Sequence, residues 1–278
     1  MLNSSYFFFV CMKMDFFKYQ GTGNDFIILD NRKKRIPEED HTLFTRLCDR
    51  HFGIGADGII LIKNDPSRDF YMKYYNSDGK ESTMCGNGGR CAIAFSKKLG
   101  IPKENKIYFR AIDGDHCGII QERGLISLKF IDIEINMIKI SKKYVFLNTG
   151  SPHHVLFVNN IKEIDVCKQG RKIRFHKSYS SKGGVNVNFV EISGKNTLQV
   201  RTYERGVENE TLSCGTGITA SVLAAYETGR ISTNKEKKVL ISTLGGKLWV
   251  SFEKKHNQYK EIYLTGSVQF IFEGWVHI

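Results

Sequence analysis

Apolar residues in this chain come mainly in short runs separated by glycine-rich or polar turns, and runs of that kind predict β-strands. The predicted strands of the first half cover residues 26–29, 59–62, 70–75, 106–111, 118–121 and 125–130. Those of the second half cover residues 144–148, 155–158, 197–203, 239–242, 248–252, 261–265 and 268–272. Helical spacing predicts helices at 42–50 and near 162–171, and a turn is predicted over 149–154. Strands therefore dominate the predicted structure.

A glycine-rich turn that begins with a cysteine occurs twice, and an apolar, helix-like run follows it each time. The first turn is Cys-Gly-Asn-Gly-Gly-Arg at 85–90, and its run ends at Gly100. The second is Cys-Gly-Thr-Gly at 214–217, and its run ends at Gly229. Both glycines lie fifteen residues after their cysteine. Start and stop signals at matched spacing predict one central helix in each half.

Each predicted helix start is suited to bind an anion beside a reactive thiol. The first turn of a helix carries unpaired N–H groups and a partial positive charge, and glycines let a ligand approach closely. A carboxylate can bind there, and the same field favours a thiolate. Cys85 and Cys214 on opposite sides of one carbon would supply a base and an acid, which suits inversion of a stereocentre. Simple packing is the alternative for either cysteine alone, and the duplication favours catalysis.

The second half of the sequence repeats the order of the first. Asn76 follows a predicted strand nine residues before Cys85, and Glu204 follows another ten residues before Cys214. The expected fold is α+β, with two pseudo-duplicated domains, each a mostly antiparallel sheet wrapped around a central helix. The active site is expected in the cleft between them.

The length of 278 residues is sufficient for two domains. We expect an N-terminal extension at 1–12, because Met12 or Met14 begins the organised part as well as Met1 does. The first domain is expected at 13–130, together with 267–278 returning to it, and the second at 131–266.

The net charge of +12 is spread over short basic groups without a recognition motif, so nucleic-acid binding is not expected. Diffuse positive charge would instead attract a dicarboxylate. No apolar stretch approaches the length that spans a bilayer, and the opening run at 6–10 lacks the marks of a secretory signal. The seven cysteines contain no C-x-x-C pair and no zinc-finger spacing. We therefore expect reduced thiols, no metal site and a cytoplasmic protein without membrane attachment.

Seven short motifs from about Met14 to the C-terminus resemble those of the diaminopimelate epimerase family, in the family's order. They are Gly-Asn-Asp-Phe at 23–26, Asn-Ser-Asp-Gly at 76–79, Met-Cys-Gly-Asn-Gly at 84–88, Pro-His at 152–153, Asn-Val at 186–187, Glu-Arg-Gly at 204–206 and Cys-Gly-Thr-Gly at 214–217. The resemblance implies epimerisation of LL-2,6-diaminopimelate to meso-diaminopimelate, in lysine and peptidoglycan-precursor biosynthesis. It also implies a two-base mechanism that uses no cofactor, pyridoxal phosphate included, and it suggests a homodimer.

The resemblance implies a role for each matching residue. Cys85 and Cys214 would be the acid/base thiols, with His153 as partner of the first and Glu204 as partner of the second. The residues implied to bind substrate are Asn24, Asn76, Gly86, Asn87, Asn186, Glu204, Arg205, Gly215 and Thr216. The amides of the two turns would hold the reacting carboxylate and stabilise the carbanion-like α-carbon. Arg205 is suited to a bidentate contact with a carboxylate.

Two positions depart from the family pattern. Ser151 stands where many members have an asparagine that contacts the distal end of the substrate, and Gly58 stands where some members have a glutamine. A serine can still make one hydrogen bond, whereas the glutamine contact is absent here. Recognition of the distal end is therefore expected to differ, while the chemistry is not affected.

Each candidate residue also has a structural alternative. His153 beside a proline could be a turn residue, the asparagines could be turn formers, and Glu204 with Arg205 could form a surface ion pair of little energetic value. The motif context favours the functional role in each case. The remaining cysteines are assigned to packing: Cys11, Cys48, Cys91, Cys117 and Cys167.

Three other functions compete with this one. A proline or hydroxyproline racemase-type isomerase of the same fold would have histidine in place of Asn87 and would lack the Glu-Arg-Gly motif. A non-enzymatic thiol redox protein would use Cys85 and Cys214 as a disulfide pair. We expect instead that such a disulfide inactivates the enzyme reversibly. A catalytically inactive binding protein is disfavoured because both cysteines, His153 and Glu204 are all present.

Overall fold

The computed structural model describes residues 12–101, 103–232 and 238–278. Its helices are α1 (His41–Cys48), α2 (Gly86–Lys98), α3 (Val166–Arg174), α4 (Lys177–Ser180) and α5 (Gly215–Glu227). The strands of the first half are β1 (Lys13–Gly21), β2 (Asn24–Asp30), β3 (Gly58–Lys63), β4 (Phe70–Asn76), β5 (Glu81–Ser82), β6 (Lys106–Ala111), β7 (Gly114–Ile120) and β8 (Leu125–Lys129). Those that follow are β9 (Ile133–Glu134), β10 (Lys139–Ile140), β11 (Val145–Asn148), β12 (Pro152–Phe157), β13 (Asn186–Gly194), β14 (Thr197–Glu204), β15 (Asn209–Thr211), β16 (Lys238–Thr243), β17 (Gly246–Lys255), β18 (Gln258–Ser267) and β19 (Gln269–His277). Residues 1–11 of the expected extension, with Cys11, lie outside the described residues.

The two halves repeat one pattern of strand pairing. In the first half, β1 pairs with β2 antiparallel, β2 with β3 parallel, β3 with β4 antiparallel and β4 with β6 parallel, and β6, β7 and β8 follow antiparallel. In the second half, β11 to β14, β16, β17 and β18 pair in the same order and with the same directions. The prediction of an α+β fold built from two duplicated halves is confirmed.

One helix lies at the centre of each half. In α2, Cys91, Ile93 and Phe95 are fully buried against the surrounding strands. Helix α5 is apolar on nearly every side, which is typical of a helix enclosed by the rest of the fold. Its Ile218 and Leu223 are also fully buried, and each such side chain contributes about 1.5–3 kcal/mol through burial. Both helix starts are therefore fixed by the core.

The halves join through β8 and β18, which pair antiparallel with Leu128 opposite Leu264. Phe130 packs against the cores of both halves. The last strand returns to the first, so that Lys13 of β1 lies opposite His277 of β19. We propose that the domain boundary lies next to Phe130, between the two cores.

Two local predictions were wrong. His153 and His154 lie in β12 rather than in a turn, because β12 pairs in parallel with β13 and His153 lies opposite Asn186. The helix predicted near 162–171 begins only at Val166, where the Asp165 side chain accepts a hydrogen bond from the Lys168 N–H and caps the helix. Within the described ranges, none of the helices combines the length and apolarity needed to cross a membrane.

Candidate active site

Cys85 and Cys214 occupy equivalent places, immediately before the first residues of α2 and α5. Both have extended backbone angles, and neither helix start is capped by the side chain of its cysteine. Asn87, Gly88 and Gly217 direct their backbone N–H groups toward the cysteine sulfurs, and the other N–H groups of the first turns can face a ligand. The structure therefore shows the duplicated helix start that the sequence indicated.

The two helix starts meet each other. A methyl group built on Gly215 would lie 3.8 Å from the Cα atom of Gly86, and one built on Gly86 would lie 3.9 Å from Cα of Gly215. Leu264 and Phe130 line the same place. Because glycine has no side chain, the unpaired amides of both helices can face one small volume. An anion bound there would experience the positive ends of two helices.

The Cys85 thiol contacts Asn24, whose Oδ1 lies 3.6 Å from Sγ. Burial raises the pKa of the Cys85 thiol, while the backbone N–H groups of Gly88 and Asn87 act in the opposite direction. Asn87 connects the halves, because its Nδ2 donates to Asn24 Oδ1 at 3.3 Å and to the Ser213 carbonyl at 3.2 Å. Asn24 and Asn87 are thus brought together at the first thiol.

Glu204 lies beside the second thiol. Burial raises the pKa of Cys214, and the charge of Glu204 raises it further. Burial also raises the pKa of the Glu204 carboxyl, against hydrogen bonds from the Thr211 hydroxyl at 2.7 Å and from the Cys214 thiol. Thr216 Oγ1 lies 3.5 Å from Cys214 Sγ. A carboxylate that accepts a thiol hydrogen bond can take up the thiol proton.

His153 is fully buried. Its Nδ1 lies 3.1 Å from Asn188 Nδ2, and its Nε2 is buried without a hydrogen-bond partner within the described residues. Burial, with the nearby charge of Arg205, lowers the pKa of His153 to about 3. The imidazole is therefore neutral. Because an amide nitrogen only donates, Nδ1 accepts and the proton lies on Nε2.

Asn188 is a residue that sequence reasoning missed. It is fully buried, and its Oδ1 accepts a hydrogen bond from Thr202 Oγ1 at 2.9 Å. The signal in the sequence is its position two residues after Asn186 on one strand, which places both side chains on one face of the sheet.

Asn186, Arg205 and Ser151 form a second group. Asn186 Nδ2 donates to Ser151 Oγ at 2.7 Å, and Asn186 Oδ1 accepts from the Arg205 backbone N–H at 2.8 Å. Asn76 ends β4 opposite Gly58 with an exposed side chain, and no hydrogen bond joins it to the other candidates within the described chain. A side chain at position 58 would meet the Tyr75 carbonyl oxygen at 2.5 Å, so Gly58 contributes backbone only.

The described residues contain no cluster of three or more histidine, cysteine, aspartate or glutamate side chains arranged to hold a metal ion. The arrangement provides two thiols, a half-buried carboxylate, a neutral imidazole and the backbone amides of two helix starts. Together these groups can move protons on and off a carbon atom next to a bound carboxylate.

Comparison with known proteins connects this site to one family. The family model described as diaminopimelate epimerase matches residues 16–125 and 145–271. A diaminopimelate epimerase of Flavobacterium psychrophilum is 52% identical over 260 residues, covering 94% of this chain and 99% of that protein. One from Aquifex aeolicus is 40% identical, covering 94% and 97%.

Solved structures share the fold at low identity. A phenazine biosynthesis protein of the PhzF family from Bacillus anthracis superposes with a TM-score of 0.71 at 16% identity, covering 96% of this chain and 100% of that one. A hydroxyproline epimerase from Agrobacterium vitis superposes with a TM-score of 0.66 at 13% identity, covering 96% and 93%. These likenesses show the architecture alone.

Proposed function

The chain belongs to the diaminopimelate epimerase family, and we propose that it interconverts LL-2,6-diaminopimelate and meso-diaminopimelate in lysine and peptidoglycan-precursor biosynthesis. The observation that carries the proposal is the meeting of the two helix starts at Gly86 and Gly215, each preceded by a cysteine. Relatives 40–52% identical over nearly the whole chain bear the name diaminopimelate epimerase.

In the proposed reaction, the substrate carboxylate binds the amides of Gly86-Asn87 and Gly215-Thr216. One cysteine, as thiolate, removes the α-proton, so the C–H bond breaks and an S–H bond forms. The other thiol then gives its proton to the opposite face of the carbon, and inversion is complete. The turn amides stabilise negative charge that develops between the two steps. Closure of the halves over the substrate would exclude water and strengthen these contacts.

Burial raises the pKa of both thiols, so each needs help to ionise. We assign this help to Glu204 at Cys214, since the carboxylate accepts the thiol hydrogen bond. We assign His153 to Cys85 as a hydrogen-bond donor, because the Nε2–H of its neutral imidazole can stabilise a thiolate without introducing a fixed charge.

The distal end of the substrate carries its own ammonium and carboxylate groups. We assign their recognition to Asn76, Asn186 and Arg205, with Ser151 holding the Asn186 amide. Arg205 offers a planar guanidinium for the distal carboxylate.

We further propose that the protein acts in the cytoplasm as a homodimer. Support for a dimer comes from β19, which pairs with β1 on one side and has no strand partner on its other side within the described ranges. Ile271, Phe272 and Trp275 of β19 are exposed, which is unusual for an edge strand. An antiparallel edge can pair with its own copy about a two-fold axis.

Exchange of the α-proton with deuterated solvent tests the proposed reaction. LL- and meso-diaminopimelate, and then proline, are incubated under reductant with wild type, Cys85→Ser and Cys214→Ser. We expect deuterium to enter diaminopimelate as epimerisation proceeds and both substitutions to abolish epimerisation.

Two results would redirect the assignment. Exchange with proline alone would indicate a proline racemase-type isomerase. The hydroxyproline epimerase that shares the fold carries a name of this type. No exchange with any substrate, in a folded and reduced sample, would refute the two-base reaction and leave binding or thiol redox chemistry.

A further inference from the structure

A chain of hydrogen bonds behind Cys85 ends in two opposite charges. Asn24 Nδ2 donates to the Asp57 carboxylate at 2.6 Å. Asn87 Nδ2 donates to Asn24 Oδ1 at 3.3 Å. Arg90 Nη2 in turn donates to Asn87 Oδ1 at 2.9 Å. The sequence of groups is carboxylate, amide, amide, guanidinium, and we call these four side chains the amide relay.

The charges at the ends fix which atom each amide presents. A carboxylate only accepts and a guanidinium only donates. Asp57 can therefore be faced only by the nitrogen of Asn24, and Arg90 only by the oxygen of Asn87. The hydrogen bond between the two amides then has a single direction, and neither amide can rotate by half a turn without breaking contacts at both ends.

The fixed orientation determines which atom of each amide faces the two cysteines. Asn24 turns its oxygen toward the thiol of Cys85, at 3.6 Å. Asn87 turns its nitrogen toward the carbonyl of Ser213, the residue before Cys214, at 3.2 Å. An acceptor beside Cys85 suits a protonated thiol or a ligand ammonium group, and the Asn87 nitrogen ties the first helix start to the second.

Arg90 is buried without a carboxylate beside it, and its charge also acts to lower the pKa of the Cys85 thiol. The residue is fully buried, and its Nε has no hydrogen-bond partner within the described chain. Within the described chain its guanidinium donates to the uncharged oxygens of Gly86, Thr22 and Asn87. Burying a guanidinium without an anion is unfavourable, and an apolar side chain would pack there at lower cost. The hydrogen-bonded amides of Asn87 and Asn24 connect the Arg90 guanidinium to the carboxylate of Asp57.

We propose that Asp57 and Arg90 are positioning residues that act as a pair through the amide relay, although neither contacts the other. They hold the oxygen of Asn24 against Cys85 and the nitrogen of Asn87 against the turn before Cys214. Loss of either charge removes one end contact of the relay and weakens the hold on both amides, although Asn87 keeps its contacts with the Ser213 carbonyl and the Thr22 hydroxyl. The significance of this orientation for turnover rests on the proposed function, whereas the direction of the hydrogen bonds does not.

A double-mutant cycle tests the pairing. Asp57→Asn and Arg90→Gln each remove one charged end, and we expect each to lower kcat/KM for diaminopimelate roughly tenfold. The kcat/KM of the double variant should be about the same as that of the less active single variant. Once one end of the relay is lost, the charge at the other end no longer orients the amides, so its removal has little further effect. Losses that multiply to roughly a hundredfold would overturn the proposal, since independent sites give additive free energies.

Arg50→Gln is the matched control. Arg50 donates to the other oxygen of Asp57 at 2.9 Å and to Asp25, but it does not contact Asn24. Its loss should leave kcat/KM within about twofold of wild type and should combine additively with Arg90→Gln. A loss as large as that of Asp57→Asn would place the effect in the ion pairs of Arg50 with Asp25 and Asp57 instead.

Nitrogen-15 NMR of side-chain amides gives a readout that does not need turnover. In wild type, we expect slow hydrogen exchange at the Nδ2 groups of Asn24 and Asn87. Asp57→Asn should accelerate exchange at both, including Asn87, which Asp57 does not contact. An unchanged Asn87 signal would contradict the relay, even if the wild type failed to epimerise diaminopimelate. If Arg90→Gln fails to fold, Arg90→Lys, which keeps a charged donor, should retain the wild-type amide pattern.

Discussion

Gly86 and Gly215 are adjacent although they begin helices in different halves of the molecule, and a methyl group on either would lie within 3.9 Å of the Cα atom of the other. The contact brings two helix N-termini, each with its own cysteine, to one point. The two halves repeat one pattern of strand pairing, and equivalent helix starts from the two halves meet at their junction. An enzyme that inverts a carbon atom needs such opposed groups, because one proton leaves one face and another arrives at the other.

Gly215→Ala should reduce activity without unfolding the protein. The added methyl group would enter the space between the helix starts, 2.9 Å from a Leu264 side-chain carbon and 3.7 Å from Phe130. We expect kcat/KM to fall at least about tenfold, since the turn amides would lose close approach to the substrate carboxylate. Gly194→Ala in a remote hairpin is the control, and equal losses in both variants would contradict this account.

Glu204→Gln should separate two effects of one carboxylate. Loss of the proton acceptor should lower kcat by roughly a hundredfold or more. Loss of the negative charge should lower the pKa of Cys214, because that charge raises it in the wild type. Iodoacetamide labelling followed by peptide mass spectrometry would show Cys214 reacting at lower pH than in wild type. Labelling that shifts to higher pH would contradict the placement of Glu204.

Buried His154 should make the protein less stable as the pH falls. Burial lowers its pKa to about 4 from the ordinary value near 6.5, so the unfolded chain binds more protons between these values. Stability is then full above pH 6.5 and is lost as pH falls toward 4, at up to about 1.4 kcal/mol per pH unit for this group. The free energy of unfolding, measured with urea across this pH range, should depend less steeply on pH for His154→Gln than for wild type. A loss of stability that is the same at every pH does not affect this comparison. An unchanged slope would exclude His154 as a source.

Oxidation should inactivate the enzyme reversibly. Cys85 and Cys214 are both free thiols in the structure. Because both flank the proposed substrate carbon, mild oxidation is expected to join them and remove acid and base together. Reductant should restore activity, and peptide mapping should find the Cys85–Cys214 disulfide only in the oxidised sample. Persistent inactivity after reduction would contradict this prediction.

Ile271→Lys should weaken the proposed homodimer. A lysine on the free edge of β19 disfavours pairing with a second strand. Light scattering with size-exclusion chromatography should give a dimer mass for wild type and a lower mass for the variant. Ile112→Lys changes an equally exposed isoleucine in the turn between β6 and β7 and should leave the mass unchanged. A monomeric wild type would refute the dimer.

The sequence predicted most of the fold because its signals are local. Strand positions follow from short apolar runs, and the helix starts at 86 and 215 follow from glycine turns after a cysteine. His153 was misplaced in a turn, since its strand depends on parallel pairing with residue 186 and not on its neighbours in sequence. Family motifs supplied the cysteines, Glu204 and the asparagines as candidates.

The sequence by itself determined the fold class, the duplication, the family and the two cysteines. Each of these can be recognised from hydrophobic periodicity, turn residues or contiguous motifs. Only the tertiary structure decided that the helix starts meet, that His153 is neutral and held by Asn188, and that Asp57 and Arg90 orient two amides. The relay joins residues 33, 63 and 3 positions apart. Such contacts depend on strand register and on the direction of each hydrogen bond, which are fixed only when the chain is folded.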